Sequence, residues 1–351
     1  MHLGCAAPQS LTCTYTLPYP SCVGGQNPAN GSTDPKCSAY ASSVDDIFAA
    51  LEPIDAERLR HVPSIAGARS ISLLEGGITN RNYRVDLPGG PVVVRLSDPH
   101  GSDLAIDREN EFRNSAAAAS AGVAPRVIEY LPGKGVLVVA WVPGRTFTEA
   151  DVRDPSNLPR IAAACALLHA GPTFVTPFNM FDIQARYLAL VRQRGYRLPP
   201  RYEEFDGPVR RMRAAMAQHP EPAVPCHNDL LAANLIDDGS RIWLIDYEYS
   251  GMNEASFELG NIWSESTLAP DLLEPLVAAY WGEATDARVA RARLWALISK
   301  YGWMLWASIQ ESISPIDFDY WTWGLEKYER AVAEFDGPEF DRWLDAVAEG
   351  A

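Results

Sequence analysis

Residues 225–248 read PCHNDLLAANLIDDGSRIWLIDYE, with His227, Asn228 and Asp229 together, Asn234 five residues after the aspartate, and Asp246 closing an apolar run. A carboxylate followed five residues later by an asparagine is the spacing of the loop H-R-D-x-x-x-x-N. In that loop the aspartate accepts the proton of an attacking hydroxyl and the asparagine holds Mg²⁺. The apolar runs 234–236 and 241–245 flank Asp237-Asp238-Gly239-Ser240, whose Asp-Gly step signals a hairpin. A hairpin returns Asp246 to the side of Asn234, where both side chains can share one metal ion. An isolated His-x-Asp would read as an aspartate-rich turn between buried strands. The whole set at these spacings points to phosphoryl transfer.

Such chemistry needs a cradle for phosphates. A strand over residues 70–74 runs into Glu75-Gly76-Gly77-Ile78-Thr79-Asn80, and strands over 83–87 and 92–96 follow. Strand, glycine loop, strand lays backbone N–H groups of Gly76 and Gly77 over nucleotide phosphates, and Thr79 and Asn80 add side-chain donors. Arg95 lies inside an apolar strand, where a charge is costly unless paired. Kinases place a phosphate-binding lysine there; arginine binds phosphate oxygens in a bidentate manner. An alanine-rich helix over 103–121 carries Glu111, the candidate partner of Arg95, with Glu109 as the alternative. A solvated charged face would account for both glutamates equally well. Strands over 126–130 and 135–142 complete a small sheet, and Pro143-Gly144 breaks it. Adenine is expected to bond to backbone there, between Ala140 and Val142. Beyond this break the pattern is mainly helical, with helices over 161–169, 181–194 and 203–218. His169 reads as a packed residue, and Arg210, Arg211 and Arg213 as a solvated face.

The chain has 351 residues, 47% hydrophobic and 21% charged, the balance of a globular enzyme. A net charge of −15 argues against a nucleic-acid partner and suits a small cationic substrate. No apolar run approaches the roughly 20 residues that span a bilayer. Cys5, Cys13, Cys22 and Cys37 crowd the first 40 residues without C-x-x-C spacing, which leaves only Cys165 and Cys226 for the body. A reduced, cytoplasmic protein is expected. The expected organisation is a disordered leader (1–44), a nucleotide-binding N-lobe (45–143) and a C-lobe with catalytic loop and substrate site (144–351).

The segments CHNDLLAAN, LIDYEYSGMN and FELGN resemble choline/ethanolamine kinases, which share the protein-kinase-like fold with aminoglycoside phosphotransferases. GGITNRNYRV, VVVRLSDP and IDRENEFRNS resemble N-lobe segments of bacterial members, and the similarity runs from about residue 45 to the C-terminus. It implies an α+β, two-lobed protein-kinase-like fold, with an antiparallel sheet plus helix in the small N-lobe and a larger, mainly helical C-lobe. It also implies ATP and Mg²⁺, with Asp229 as base, Asn234 and Asp246 as metal ligands, and Arg95 with Glu111 as the phosphate-arm pair. Glu258 stands where family members usually have aspartate.

The implied substrate site lies in the last third. Trp303 and Trp306 are three apart on one helix face, as are Tyr320 and Trp323. An aromatic stripe alone is ordinarily core. W-x-x-W followed by Q-x-x-I-S-x-I-x-F-x-Y, however, resembles the family's choline-site segment. The resemblance carries over Trp303, Trp306, Ile316 and Tyr320, puts Trp323 where a tyrosine is common, and aligns Tyr249 and Glu265 with cation-site residues. Ring faces are what a quaternary ammonium, which has no N–H to donate, can use. Choline is therefore the expected substrate. Ethanolamine, thiamine or an aminoglycoside are alternatives within the fold, and a binding-only pseudokinase is the alternative of another class.

Overall fold

The computed structural model describes residues 46–75, 79–97, 104 and 106–350. The leader over 1–44 and the loop glycines Gly76 and Gly77 lie outside the described residues. Helix α1 (Pro53–Arg60) precedes strands β1 (Ser70–Leu74), β2 (Arg81–Leu87) and β3 (Gly90–Leu96). Helix α2 (Arg108–Ser120) then leads to β4 (Val127–Leu131) and β5 (Val136–Ala140). The strands form one antiparallel sheet in the order β1-β2-β3-β5-β4. Alternation along β3 turns Val92, Val94 and Leu96 into a core with Tyr83, Val85, Val136, Val138 and Leu59 of α1. The same alternation turns Arg95 to the opposite face, toward α2. That helix starts at Arg108, later than residue 103, because Asp107 caps it by accepting the N–H groups of Glu109 (2.9 Å) and Asn110 (3.2 Å).

The remainder is mostly helical. It begins with β6 (Arg145–Thr146), α3 (Glu149–Arg153), α4 (Leu158–His169), α5 (Met180–Arg194) and α6 (Asp206–Met216). The helix expected over 203–218 is split, with a short 3₁₀ turn (Tyr202–Phe205) ahead of α6. Pro208 suits the first turn of a new helix, where no backbone N–H is needed. Next come β7 (Ala223–Cys226), β8 (Leu235–Asp237), β9 (Ile242–Leu244), β10 (Gly251–Glu254) and α7 (Ala255–Glu265). The chain ends with α8 (Leu273–Trp281), α9 (Asp286–Ile313), α10 (Tyr320–Phe335) and α11 (Phe340–Glu349). No helix among the described residues is long and apolar enough to cross a membrane.

Helix α9 has 28 residues and is buried on nearly every side between Ala290 and Gln310, as the axle of a helical core must be. Helices α5, α7, α10 and α11 all pack on it. Where α7 crosses α9 there is no room for a side chain: a Cβ on Gly260 would lie 2.1 Å from the Ala292 carbonyl oxygen. This close approach fixes the height of α7 beneath the loop that follows β7.

Candidate active site

The loop after β7 is held from below by α7. Both oxygens of buried Glu258 accept backbone N–H groups, from His227 and Asn228, each at 2.8 Å, and Asn261 accepts that of Leu230 at 2.9 Å. Glutamate, standing where family members usually have aspartate, thus holds two N–H groups of the loop. Burial alone would raise its pKa, but hydrogen bonding and the nearby imidazoles of His169 and His227 hold it below the usual carboxylate range. Asn228 adopts a left-handed backbone (φ 68°) and its amide donates to the Tyr249 carbonyl at 3.0 Å. His227 ties the loop to the residue after β9: Nδ1 accepts from the Asp229 N–H (3.3 Å) and Nε2 donates to the Ile245 carbonyl (2.7 Å). Burial pushes this imidazole toward its neutral form.

Strands β8 and β9 make the expected hairpin, with Leu235 opposite Leu244 and the Ile245 N–H donating to the Asn234 carbonyl at 3.0 Å. Asp246 leaves the hairpin with φ 74° and faces the same cavity as Asn234 and Asp229. The Asn234 amide donates to the Asp229 carbonyl (2.8 Å), which leaves Oδ1 for a cation. Asp246 Oδ1 is buried without a well-directed hydrogen bond, although Arg95 Nη1 approaches it to 2.6 Å. Oxygen donors of this kind fit Mg²⁺.

Arg95 Nη1 also contacts Glu111 Oε1 at 2.5 Å, whereas Glu109 pairs with exposed Arg113. Arg108 extends the network, reaching Glu111 (2.7 Å), Glu248 (3.1 Å) and Asn80 (3.3 Å). Glu248 in turn accepts from Thr79 (3.0 Å) and Asn80 (2.8 Å), tying the end of the glycine loop to the strand exit that bears Asp246. Burial would raise the Glu248 pKa, but Arg108, Arg95 and Asn80 hold it down. The D-x-E spacing of Asp246 and Glu248 was the available signal for this residue; its partners, 140 to 169 positions away, were not readable.

Beside this network lies a cavity of about 100 Å³. Asp229, Asn234, Asp246 and Glu248 line one part of it, and Tyr249, Glu265, Trp303, Trp306 and Trp323 line the rest. Tyr249 and Trp303 meet edge to face with centroids 5.1 Å apart, Trp306 and Trp323 are tilted by 59° with centroids 5.3 Å apart, and Trp306 Nε1 donates to the Tyr249 hydroxyl at 2.7 Å. Trp303 Nε1 and Glu265 Oε1 are buried without hydrogen-bond partners among the described residues. Glu265 Oε2 accepts from the ammonium of Lys327, a residue that the sequence pattern hides within a charged helix face. Burial pushes the Asp229 carboxyl well above its ordinary range, reinforced by Glu265, Asp246 and Glu248 and opposed by Lys327.

Six of the described residues expected at the site lie outside the lining: Arg95 and Glu111, in the ion-pair network above, and four more. Tyr320 packs behind Trp306 (5.8 Å between centroids) and its hydroxyl is 2.9 Å from Ser314 Oγ, while Ile316 is half-buried in the turn before α10. Ala140 and Val142 are the others. The Ala140 N–H donates to Arg126 (2.9 Å) and that of Trp141 to Pro91 (3.4 Å), so both serve the sheet. The Val142 N–H has no hydrogen bond among the described residues. His169 is buried against Tyr280 (2.7 Å), and Arg211 and Arg213 form exposed ion pairs with Asp341 and Asp182.

The phosphotransferase enzyme family matches residues 70–295. A choline/ethanolamine kinase family protein from Mesorhizobium loti is 31% identical, with a TM-score of 0.74 over 85% of this chain and 99% of that one. Ethanolamine kinase 2 of Rattus norvegicus is 28% identical over 326 residues, 84% of this chain and 83% of the relative. Choline kinase LicA from Streptococcus pneumoniae, 21% identical, shares the fold with a TM-score of 0.69 over 84% of this chain and 100% of that one. With its small antiparallel sheet, helical remainder and these relatives, the chain belongs to the phosphotransferase enzyme family and, within it, to the choline/ethanolamine kinases.

Proposed function

We propose that the protein transfers the γ-phosphoryl group of ATP to the hydroxyl of a small amino alcohol, choline being the substrate its lining favours. The observation that carries this reading is the shared cavity, with Asp229 in one wall and three tryptophans and a tyrosine in another. A trimethylammonium head settles against the ring faces, each worth roughly 0.5–2 kcal/mol. The hydroxyl at the other end of the molecule then lies beside Asp229, which orients it and takes its proton as oxygen attacks the γ-phosphorus and ADP departs. The cationic head brings a positive charge into a pocket of four carboxylates, and so favours the ionised Asp229 that a base requires. Thr79, Asn80, Arg95 and Arg108 are suited to the phosphates, with Glu111 holding both arginines. Asn234 and Asp246 would hold Mg²⁺, which when bound neutralises charge on the β- and γ-phosphates.

Ethanolamine is the second reading. The unpartnered Oε1 of Glu265 suits an N–H donor, and the rat relative is named for this substrate.

ATP turnover against choline, ethanolamine, thiamine and aminoglycosides tests the reading. The highest kcat/KM is expected for choline, with ethanolamine next. Failure to phosphorylate either amino alcohol would sink the proposal and leave a binding-only protein or another acceptor.

A further inference from the structure

Lys327 follows Trp323 by one helical turn on α10 and retains only 5% of its surface. Its ammonium donates to Glu265 Oε2 and sits 4.2 Å from the centre of the Trp323 ring. A buried ammonium is costly unless compensated, and here both compensating groups are walls of the substrate cavity, which Lys327 itself does not line. Glu265 is left with Oε1 as its one unpartnered oxygen. This end of the cavity therefore carries no net charge before substrate arrives, and it offers aromatic surface and a single acceptor.

A primary ammonium and a trimethylammonium respond differently to such a lining. The first brings three N–H donors and loses when acceptors are scarce; the second brings none and depends on ring faces. We infer that Lys327 is a specificity-determining residue, which by occupying one Glu265 oxygen and cancelling its charge sets the preference for methylated over primary amines. It acts through Glu265 and Trp323 and is a positioning residue. The inference rests on the amino-alcohol reading above.

The test measures kcat/KM for choline and ethanolamine, and KM for ATP, in the full-length wild type and in K327M, K327R, E265Q and E265Q/K327M. K327M is expected to move the choline-to-ethanolamine ratio about tenfold toward ethanolamine, the size of one hydrogen bond to a charged group. The change should fall on the KM of the amino alcohol, with the ATP KM steady, and K327R should keep the wild-type ratio. E265Q leaves the ammonium uncompensated beside the substrate cation and should raise KM for both alcohols. Adding K327M should bring the choline KM back by about tenfold while ethanolamine stays poor. Because the double variant removes both charges together, it carries the test even where K327M alone fails to fold. An unchanged ratio in folded K327M, a K327R that shifts as K327M does, or identical kinetics for E265Q and the double variant would each overturn the role of Lys327. If the wild type phosphorylates an amino alcohol, those results overturn that role alone. A wild type active on neither alcohol overturns the amino-alcohol reading, and this inference with it.

Discussion

Four carboxylates face one cavity, and their surroundings give them different work. Glu248 is tied up by Arg108, Thr79 and Asn80, Glu265 by Lys327, and Asp246 by Arg95, while Asp229 has no cation in direct contact among the described residues. That isolation suits a base. Asp229→Asn, nearly the same shape without the basic oxygen, should lower kcat by about 10²–10⁴ while ATP affinity stays within a few-fold. Calorimetric titration with ATP beside a turnover assay checks this, and near-normal turnover would remove the assignment. Trp303→Ala strips one wall of the cavity without touching the phosphate side. It should raise the choline KM roughly tenfold and leave the ATP KM nearly unchanged; parallel rises in both would count against the aromatic subsite. The convergence of Asp229, Asn234 and Asp246 on one cavity was legible in the sequence because loop spacing and a hairpin turn are local signals. Lys327 was not. Its partner Glu265 lies 62 residues away, and the run Glu326-Lys327-Tyr328-Glu329-Arg330 reads as a solvated helix face.

At the scale of elements, β8–β9 delivers Asp246 and α7 carries the backbone of the loop that bears Asp229. The hairpin follows from its Asp-Gly step and alternating apolar residues, and the structure differs from expectation only in where the strands stop. The register of α7 depends on something the sequence states in one letter, a glycine inside a helix. Gly260→Ala puts a Cβ against the α9 backbone and should cost about 1–3 kcal/mol in denaturant unfolding. Activity should fall further than stability requires, because Glu258 and Asn261 move with the helix and release the loop N–H groups. Wild-type stability in that variant would mean that the helices do not cross so closely. The boundaries missed at 103 and 203 are both helix starts: α2 begins only after its cap Asp107, and α6 follows a 3₁₀ turn and has no side-chain cap of its own.

Across the molecule, Arg95, Arg108, Glu111, Asp246 and Glu248 join the sheet and α2 to the hairpin exit. The strand and helix patterns of the sheet and the helical remainder were foreseeable from periodicity; their junction depends on contacts 140 to 169 residues apart, which no local pattern encodes. Arg108→Met removes the cation that both Glu111 and Glu248 share. It should raise the ATP KM about tenfold with the choline KM much less affected, and the wild-type value should respond little to added salt because Glu111 and Glu248 are buried. Equal effects on both substrates would place Arg108 outside the nucleotide side.

Trp303, Trp306 and Trp323, three of the chain's ten tryptophans, line the same cavity. The proposed acceptor site therefore contains its own optical probe. A cation pressed against those indoles alters their emission, so occupancy can be followed by intrinsic fluorescence without label or coupled enzyme, before any phosphate has moved.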